Sequence, residues 1–342
     1  MQTPFTAGII NVTGYAGSET ARLLRCHPAF TLAWVTARSE AGKRLDEVLP
    51  HLGPSDLVIQ DAPAAADIIF VALPHGAAAA VVPDLLATGA RVVDLSADFR
   101  LVSATAYREW YGLEHPRPDL LEEAVYGLCE LHRDVIPTSN LVANPGCYPT
   151  AAILALAPAL RAGLIEPDIL VDAKSGLSGA GRSLSLVTHF AEAAENCAAY
   201  AINGHRHWPE IHQELQQFIP GQELRLTFMP HLVPMVRGIL VTCYAPLRQP
   251  VDTTTVTEFY RTAYKDEPFV AVTAQPPQTK WTAGTNHCLI HVTVDSRARR
   301  LIAIAALDNL VKGAAGQAIQ NANLLCHLPE TTGLDRLSPT YP

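Results

Sequence analysis

The chain has 342 residues, a formal net charge of −8, and 49% hydrophobic against 17% charged residues, which suits a folded protein of two ordinary domains and excludes long disordered tracts. The acidic balance, with Lys and Arg scattered, argues against a nucleic-acid surface and for a small-molecule partner. Seven cysteines at irregular spacing with no C-x-x-C pair argue against a disulfide framework or a zinc site, and for reduced thiols in a cytoplasmic setting.

The start, MQTPFTAGIINV, runs into a strand-like segment without a basic region or cleavage site. AGIINV, SETARLLRC, TLAWVTA, DIIFVAL, GAAAAVVPDLLATG and RVVDLS then alternate strand and helix patterns, a βαβ rhythm that predicts a parallel sheet covered by helices. The alanine-rich stretch 65–90 is broken by Asp67, Pro74, His75, Pro83 and Asp84, so no membrane association is expected. Beyond residue 150 longer strands are predicted at ILVDAKS, RLTFMPH, GILVTCYAPL, CLIHVTVD and RLIAIAAL, the last two joined at hairpin distance by SRARR; a largely antiparallel sheet is the expectation. Helices are predicted near residue 260 and from about Asn309, the latter late enough to pack back on the first domain. Thr138–Pro149 and Gln275–Thr285 read as ordered loops.

Gly14 and Gly17 stand three apart at the first strand-to-helix junction, where a dinucleotide turn needs close backbone approach and an open helix N-terminus. Asn11, the residue next most tolerant of left-handed backbone, occupies the place of a first glycine. On spacing alone an ordinary tight turn is the alternative. The second strand ends in VTARSEAGKR, offering Arg38, Ser39, Lys43 and Arg44 and no carboxylate at its tip, which favours a 2′-phosphate and hence NADP over NAD.

The stretch NPGCYPT, residues 144–150, wedges Cys147 between two prolines. Pro149 followed by TAAILALAPAL predicts a helix start, and a thiol at that positive end is favoured as thiolate. GHRHWPEI offers His205, His207 and Glu210 as an imidazole with an orienting carboxylate; His75, His189 and His231 remain rivals, and HRH as a metal site lacks a third ligand. Arg100, after an apolar strand, and the loop with Ser178, Gly179, Gly181 and Arg182, rich in backbone N–H groups, are candidate anion binders.

NVTGYAGSE, LPHG, DLSADFR, NPGCYPT, SGLSGAGR, GHRHWPEI, PHLVPMVRGI and NLVKGAAGQA occur in the order and spacing of the N-acetyl-γ-glutamyl-phosphate reductase family, and the chain resembles that family from about Gly8 to Pro339. The resemblance implies an α/β protein with a Rossmann-type NADP domain (residues 1–146 with 315–342) and a second α/β catalytic and oligomerisation domain (147–314) with a mixed, largely antiparallel sheet, as in the aspartate-semialdehyde dehydrogenase superfamily. It implies Cys147 as nucleophile and His205 as acid/base with Glu210. It implies cofactor contacts at Gly14, Tyr15, Ala16, Gly17, Arg38, Ser39, Leu73, Pro74, Ser178 and Gly179, with Asn309 at the nicotinamide carboxamide. Substrate or phosphate contacts follow at Arg100, Asn144, Arg182, His207 and Arg237. No metal is implied. The expected reaction is NADPH-dependent reduction of an acyl phosphate through a cysteine thioester, by a cytoplasmic homo-oligomer, dimer or tetramer. Neighbouring readings are a reductase of carrier-linked aminoadipyl phosphate, which resembles CNAT where this chain has CYPT, a non-redox cysteine acyl-transferase or hydrolase, and a nucleotide-binding regulator.

Overall fold

The computed structural model describes residues 4–335. The expected return of residues 336–342 to the first domain, and the end of the resemblance at Pro339, lie outside them. The chain divides into two compact units, one running to Gly146 and resuming at Ala314, the other spanning Cys147–Gly313.

The first unit is built on six parallel strands: β1 (Phe5–Ile10), β2 (Phe30–Thr36), β3 (Ile68–Val71), β4 (Arg91–Asp94), β5 (Val125–Tyr126) and β6 (Leu141–Ala143). Their order is β2-β1-β3-β4-β6-β5, and every neighbouring pair is parallel. Ile68–Val71 is buried along its whole length, as expected of a strand covered on both faces. The order reverses direction at β1, because β2 lies on one side of it and β3 on the other. Crevices of this kind, beyond the carboxyl ends of the strands, are where open parallel sheets bind ligands. The glycine turn follows β1 directly.

The second unit holds a seven-stranded sheet of β7 (Asp168–Ser175), β8 (Ala198–Ala199), β9 (Arg225–Leu232), β10 (Ile239–Pro246), β11 (Val270–Val272), β12 (Cys288–Asp295) and β13 (Arg300–Leu307), in the order β11-β12-β13-β10-β7-β9-β8. The expected hairpin is present, with Asp295 opposite Arg300. The sheet is mixed: β12–β13, β13–β10, β10–β7 and β9–β8 are antiparallel, whereas β7–β9 and β11–β12 are parallel. The long excursion between β7 and β9, which carries the HRH segment, lets the chain re-enter the sheet in the same direction.

One helix, Cys147–Arg161, is buried from Tyr148 to Leu160 and packs against β10 and β13. Pro158 inside it has no N–H for the carbonyl four residues back and crowds that oxygen. That carbonyl belongs to Leu154, and the Tyr264 hydroxyl donates to it; the Tyr260 hydroxyl donates to the next, that of Ala155, at 2.8 Å. A buried helix can carry proline because two phenols supply the missing donor. The last helix, expected from about Asn309, begins as a π-helical turn, Val311–Ala315, before the α-helix Gly316–Leu325. No helix among the described residues is long and apolar enough to cross a membrane.

Candidate active site

In the first unit, β1 ends at Ile10 and the helix Tyr15–Arg25 begins four residues after Asn11, with Gly14 at its N-cap. Asn11 has φ +65°, the left-handed backbone for which a first glycine is otherwise used. Its side-chain amide donates to the Ala72 carbonyl at 2.8 Å, tying the turn to the loop after β3. A Cβ on Gly17 would lie 2.3 Å from the Asn11 carbonyl oxygen, so Gly17 permits the helix to pack on the turn. A Cβ on Gly14 would meet nothing of the protein closer than 3.4 Å; its bare surface faces outward. The helix has no side-chain cap and no acidic residue in its first turn, so the N–H groups of Tyr15, Ala16 and Gly17 form an open anion site. These residues fit a dinucleotide's pyrophosphate.

At the tip of β2 the basic residues separate into two kinds. Lys43 is paired with Glu40, and Arg44 with Asp46 and Asp56. Arg38 and Ser39 are exposed in the turn Arg38–Glu40, and among the described residues Arg38 has no carboxylate partner. Leu73 and Pro74 lie just beyond β3, half-buried and exposed respectively. The buried Asp98 of LSADFR shapes their loop, accepting from Gly76 N at 2.6 Å, Ala79 N at 3.0 Å and the Tyr107 hydroxyl at 3.0 Å.

Two residues expected at the substrate or its phosphate, Arg100 and Asn144, are buried in the first unit. Arg100 is 8% exposed; its Nε donates to the Asn144 carbonyl at 2.8 Å and its Nη2 to the Leu95 carbonyl at 3.1 Å. Asn144 is buried, with N on the Asp94 carbonyl, Nδ2 donating to the Ala314 carbonyl and Oδ1 accepting from Asn321. Through these bonds both brace the turn that leads into Cys147.

In the second unit, Cys147 is the first residue of its helix and partly exposed. The adjoining Tyr148 is buried, and its hydroxyl donates to the His231 carbonyl at 3.1 Å. The Tyr200 hydroxyl donates to Tyr148 Oη at 3.4 Å and lies 3.3 Å from His205 Nε2. His205 Nδ1 accepts the His207 main-chain N–H at 3.0 Å, which leaves the proton of the neutral ring on Nε2. The hydrogen bonds then run in one sense, from His205 Nε2–H through Tyr200 and Tyr148 to a carbonyl. Burial above all, with a smaller contribution from charge on Cys147, holds both phenols protonated. Burial, with a smaller contribution from the Arg206 charge, pulls His205 down to about 4, so the imidazole is neutral and an N–H donor at pH 7.

Glu210 was expected to orient His205. It is buried in the first turn of the helix Trp208–Gln216, but both His205 ring nitrogens are occupied by Tyr200 and His207 N, so the orienting partners are a phenol and a main-chain amide. His207 caps that helix and stacks edge-on to His205, centroids 4.9 Å apart. Of the rivals, His75 and His189 are exposed, and His231 lies 3.3 Å from Asp172.

The loop Leu177–Ala180 does not offer the free amides its glycines suggest. Gly176 N, Leu177 N and Ser178 N bond to Gly238, Met235 and Val236 carbonyls, and Gly179 N and Gly181 N close turns within the loop. Asn309 fastens this double loop, donating to Ser178 Oγ at 2.9 Å and accepting from Gly238 N at 2.7 Å. Arg182 is exposed nearby in sequence, and Arg237 lies 3.5 Å from the fully buried Asp308. The sequence singled out none of Tyr200, Asp98 and Asp308; Asp98 lies inside DLSADFR, while nothing around Tyr200 marks it. Among the described residues no group of three or more His, Cys, Asp or Glu is arranged to hold a metal.

Residues 6–139 match the family model "Semialdehyde dehydrogenase, NAD binding domain" and residues 147–309 "Semialdehyde dehydrogenase, dimerisation domain". Among curated relatives, the N-acetyl-γ-glutamyl-phosphate reductase of Dehalococcoides mccartyi is 57% identical, covering 98% of each chain. Those of Pelotomaculum thermopropionicum and Moorella thermoacetica are 50% and 46% identical, covering 95% and 96% of this chain and 96% and 97% of theirs. Among solved structures, aspartate semialdehyde dehydrogenase II of Vibrio cholerae matches with a TM-score of 0.72 at 20% identity, over 95% of this chain and 99% of that one. The Candida albicans enzyme with NADP matches at 0.70 and 18%, over 94% and 98%; both likenesses concern the fold. The first unit is thus a nicotinamide-nucleotide domain, and the chain belongs to the N-acetyl-γ-glutamyl-phosphate reductase family of the semialdehyde dehydrogenases.

Proposed function

We propose that this chain reduces N-acetyl-L-glutamyl 5-phosphate to N-acetyl-L-glutamate 5-semialdehyde and phosphate, using NADPH, in arginine biosynthesis. The observation that carries the reading is the thiol at a helix start, next in sequence to Tyr148, whose hydroxyl is linked through Tyr200 to His205 in one hydrogen-bond chain. Cys147 Sγ, as thiolate, attacks the acyl carbon; the bond from that carbon to the phosphate oxygen breaks, phosphate leaves, and a thioester to Cys147 remains. The hydride would come from a reduced nicotinamide held by the first unit, with Gly14, Tyr15, Ala16 and Gly17 at its pyrophosphate. The resulting hemithioacetal oxyanion on Cys147 needs a hydrogen-bond donor, and the neutral His205 offers Nε2–H, exchanging the loose 3.3 Å contact to Tyr200 for the developing charge. The carbon–sulfur bond then breaks, returning the thiolate and releasing the aldehyde. Positioning contributes as well as nucleophilicity: Arg100 and Asn144 fix the turn before Cys147, and the tyrosines fix the ring of His205.

The open helix start at Gly14 and the uncommitted Arg38 support NADP as the cofactor, with the 2′-phosphate at Arg38 and Ser39. The dimerisation-domain family of the second unit supports a homo-oligomer, and a cytoplasmic setting goes with the biosynthetic reaction proposed. The test is the reverse reaction. The semialdehyde should reduce NADP only when inorganic phosphate is present, and alkylating the thiol should stop it. Reduction that ignores phosphate, or hydrolysis of the acyl phosphate without any redox change, would favour a thiol hydrolase instead.

A further inference from the structure

We infer that Gly313 is a positioning residue for the Cys147 nucleophile, and that the π-helical turn Val311–Ala315 serves to bring its bare Cα against the first residue of the helix Cys147–Arg161. A Cβ at position 313 would lie 2.7 Å from Cys147 Cβ, 3.1 Å from Cys147 Cα and 3.2 Å from Leu307 Cδ1. Carbon atoms in good contact sit about 3.5–4.0 Å apart, so a single methyl demands a shift of roughly 1 Å. The atoms it meets first are not the end of a flexible side chain. Cys147 Cα and Cβ move only with the helix start that carries the thiol.

Backbone freedom does not explain this glycine. Gly313 is absent from the positive-φ positions, so an L-residue can adopt its conformation and the constraint is space alone. The turn that presents it is built for the purpose. Gly313 N donates to the Asp308 carbonyl at 2.9 Å, a bond spanning five residues where an α-helix spans four. The fully buried Asp308 anchors the turn: Oδ1 accepts from Leu310 N at 2.8 Å and Val311 N at 3.2 Å, and Oδ2 from Gly284 N at 2.7 Å. The extra residue of a π turn changes which residue faces Cys147, and the residue that faces it is the one without a side chain. Turns of this kind recur at functional sites.

The inference rests on Cys147 being the nucleophile, and its test has an arm that does not need activity. Gly313→Ala should lower kcat by about a hundredfold, the usual cost of a 1 Å misplacement at reacting atoms, with KM changed by less than about threefold. A turnover number near wild type overturns the proposal. In parallel, the urea midpoint is measured for Gly313→Ala, Cys147→Gly and the double variant. The added methyl should cost markedly less stability in the Cys147→Gly background, where the first atom it meets is gone; an equal cost in both backgrounds also overturns it. Should Gly313→Ala alone not accumulate folded, recovery of folded protein in the double variant supports the proposal and failure to recover refutes it. Turnover retained by Cys147→Ala would refute the covalent mechanism instead, while leaving the stability comparison interpretable.

Discussion

Two helices of this chain begin just beyond the C-terminal ends of first-sheet strands, each after an asparagine, and they have been put to opposite uses. The helix Tyr15–Arg25 follows Asn11 and begins bare: its cap is a glycine with open space before it, and Tyr15 is 42% exposed. The helix Cys147–Arg161 follows Asn144 and begins hemmed in, with Gly313 behind Cys147 and buried Tyr148 inside. An open N-terminus suits a diffusible anion, because amides and dipole are left for the ligand. An enclosed one suits a covalent nucleophile, which must be held in place. Under the proposed function, the same element end yields a binding site or a reactive group according to what fills the space around it.

The sharpest way to break the contrast is to remove the donor proposed to act on the thioester at the enclosed terminus. His205→Asn should lower kcat by roughly two to four orders of magnitude while leaving cofactor affinity, a property of the open terminus, unchanged in titration. A larger loss in His207→Asn would move the role to the neighbouring ring. At the open terminus, Arg38→Ala should weaken NADPH about tenfold to a hundredfold, the loss of one charge-assisted contact, and spare NADH. Equal losses for both cofactors would mean that Arg38 supports the loop and does not read the phosphate.

Smaller effects separate packing from binding. Gly17→Ala, whose Cβ meets the Asn11 carbonyl at 2.3 Å, should destabilise the protein by about 1–3 kcal/mol in chemical denaturation, whereas Gly14→Ala should keep the midpoint and weaken the nucleotide. A further effect is expected on pH dependence. His205 titrates near 4 when folded against an ordinary 6.5, so between those values the unfolded chain binds a proton that the folded chain does not. Stability should therefore fall as pH drops through that window and level off below it. His27, His115 and His287 are also lowered by burial and act with the same sign. Replacing His205 with Asn should flatten part of that slope.

Much of the fold was legible because it rests on local patterns: the βαβ rhythm, the hairpin at SRARR, Asn11 as a left-handed residue, and a helix start at NPGCYPT. The parallel pairing of β7 with β9 was not, since it depends on where a long excursion re-enters the sheet. Within the site, residue types were readable and their partners were not. Glycines at 176–181 signalled a special loop, yet three of its amides bond to Met235, Val236 and Gly238 and two close turns within it. Arg100 and Asn144 were readable as polar residues at strand ends, but not their bonds to the main-chain carbonyls of Asn144, Leu95 and Ala314. Tyr200 belongs to no recognisable pattern; only the fold brings its hydroxyl to His205.

The account stands on a thioester at Cys147, and mass spectrometry of the intact enzyme tests it directly. The enzyme is mixed with the acyl phosphate in the absence of reductant, quenched in acid and digested. The expected result is one N-acetylglutamyl group per chain on the peptide containing Cys147, one equivalent of phosphate released, and neither in Cys147→Ala. An adduct on another cysteine, or none while phosphate is released equally by the Cys147→Ala variant, would contradict it.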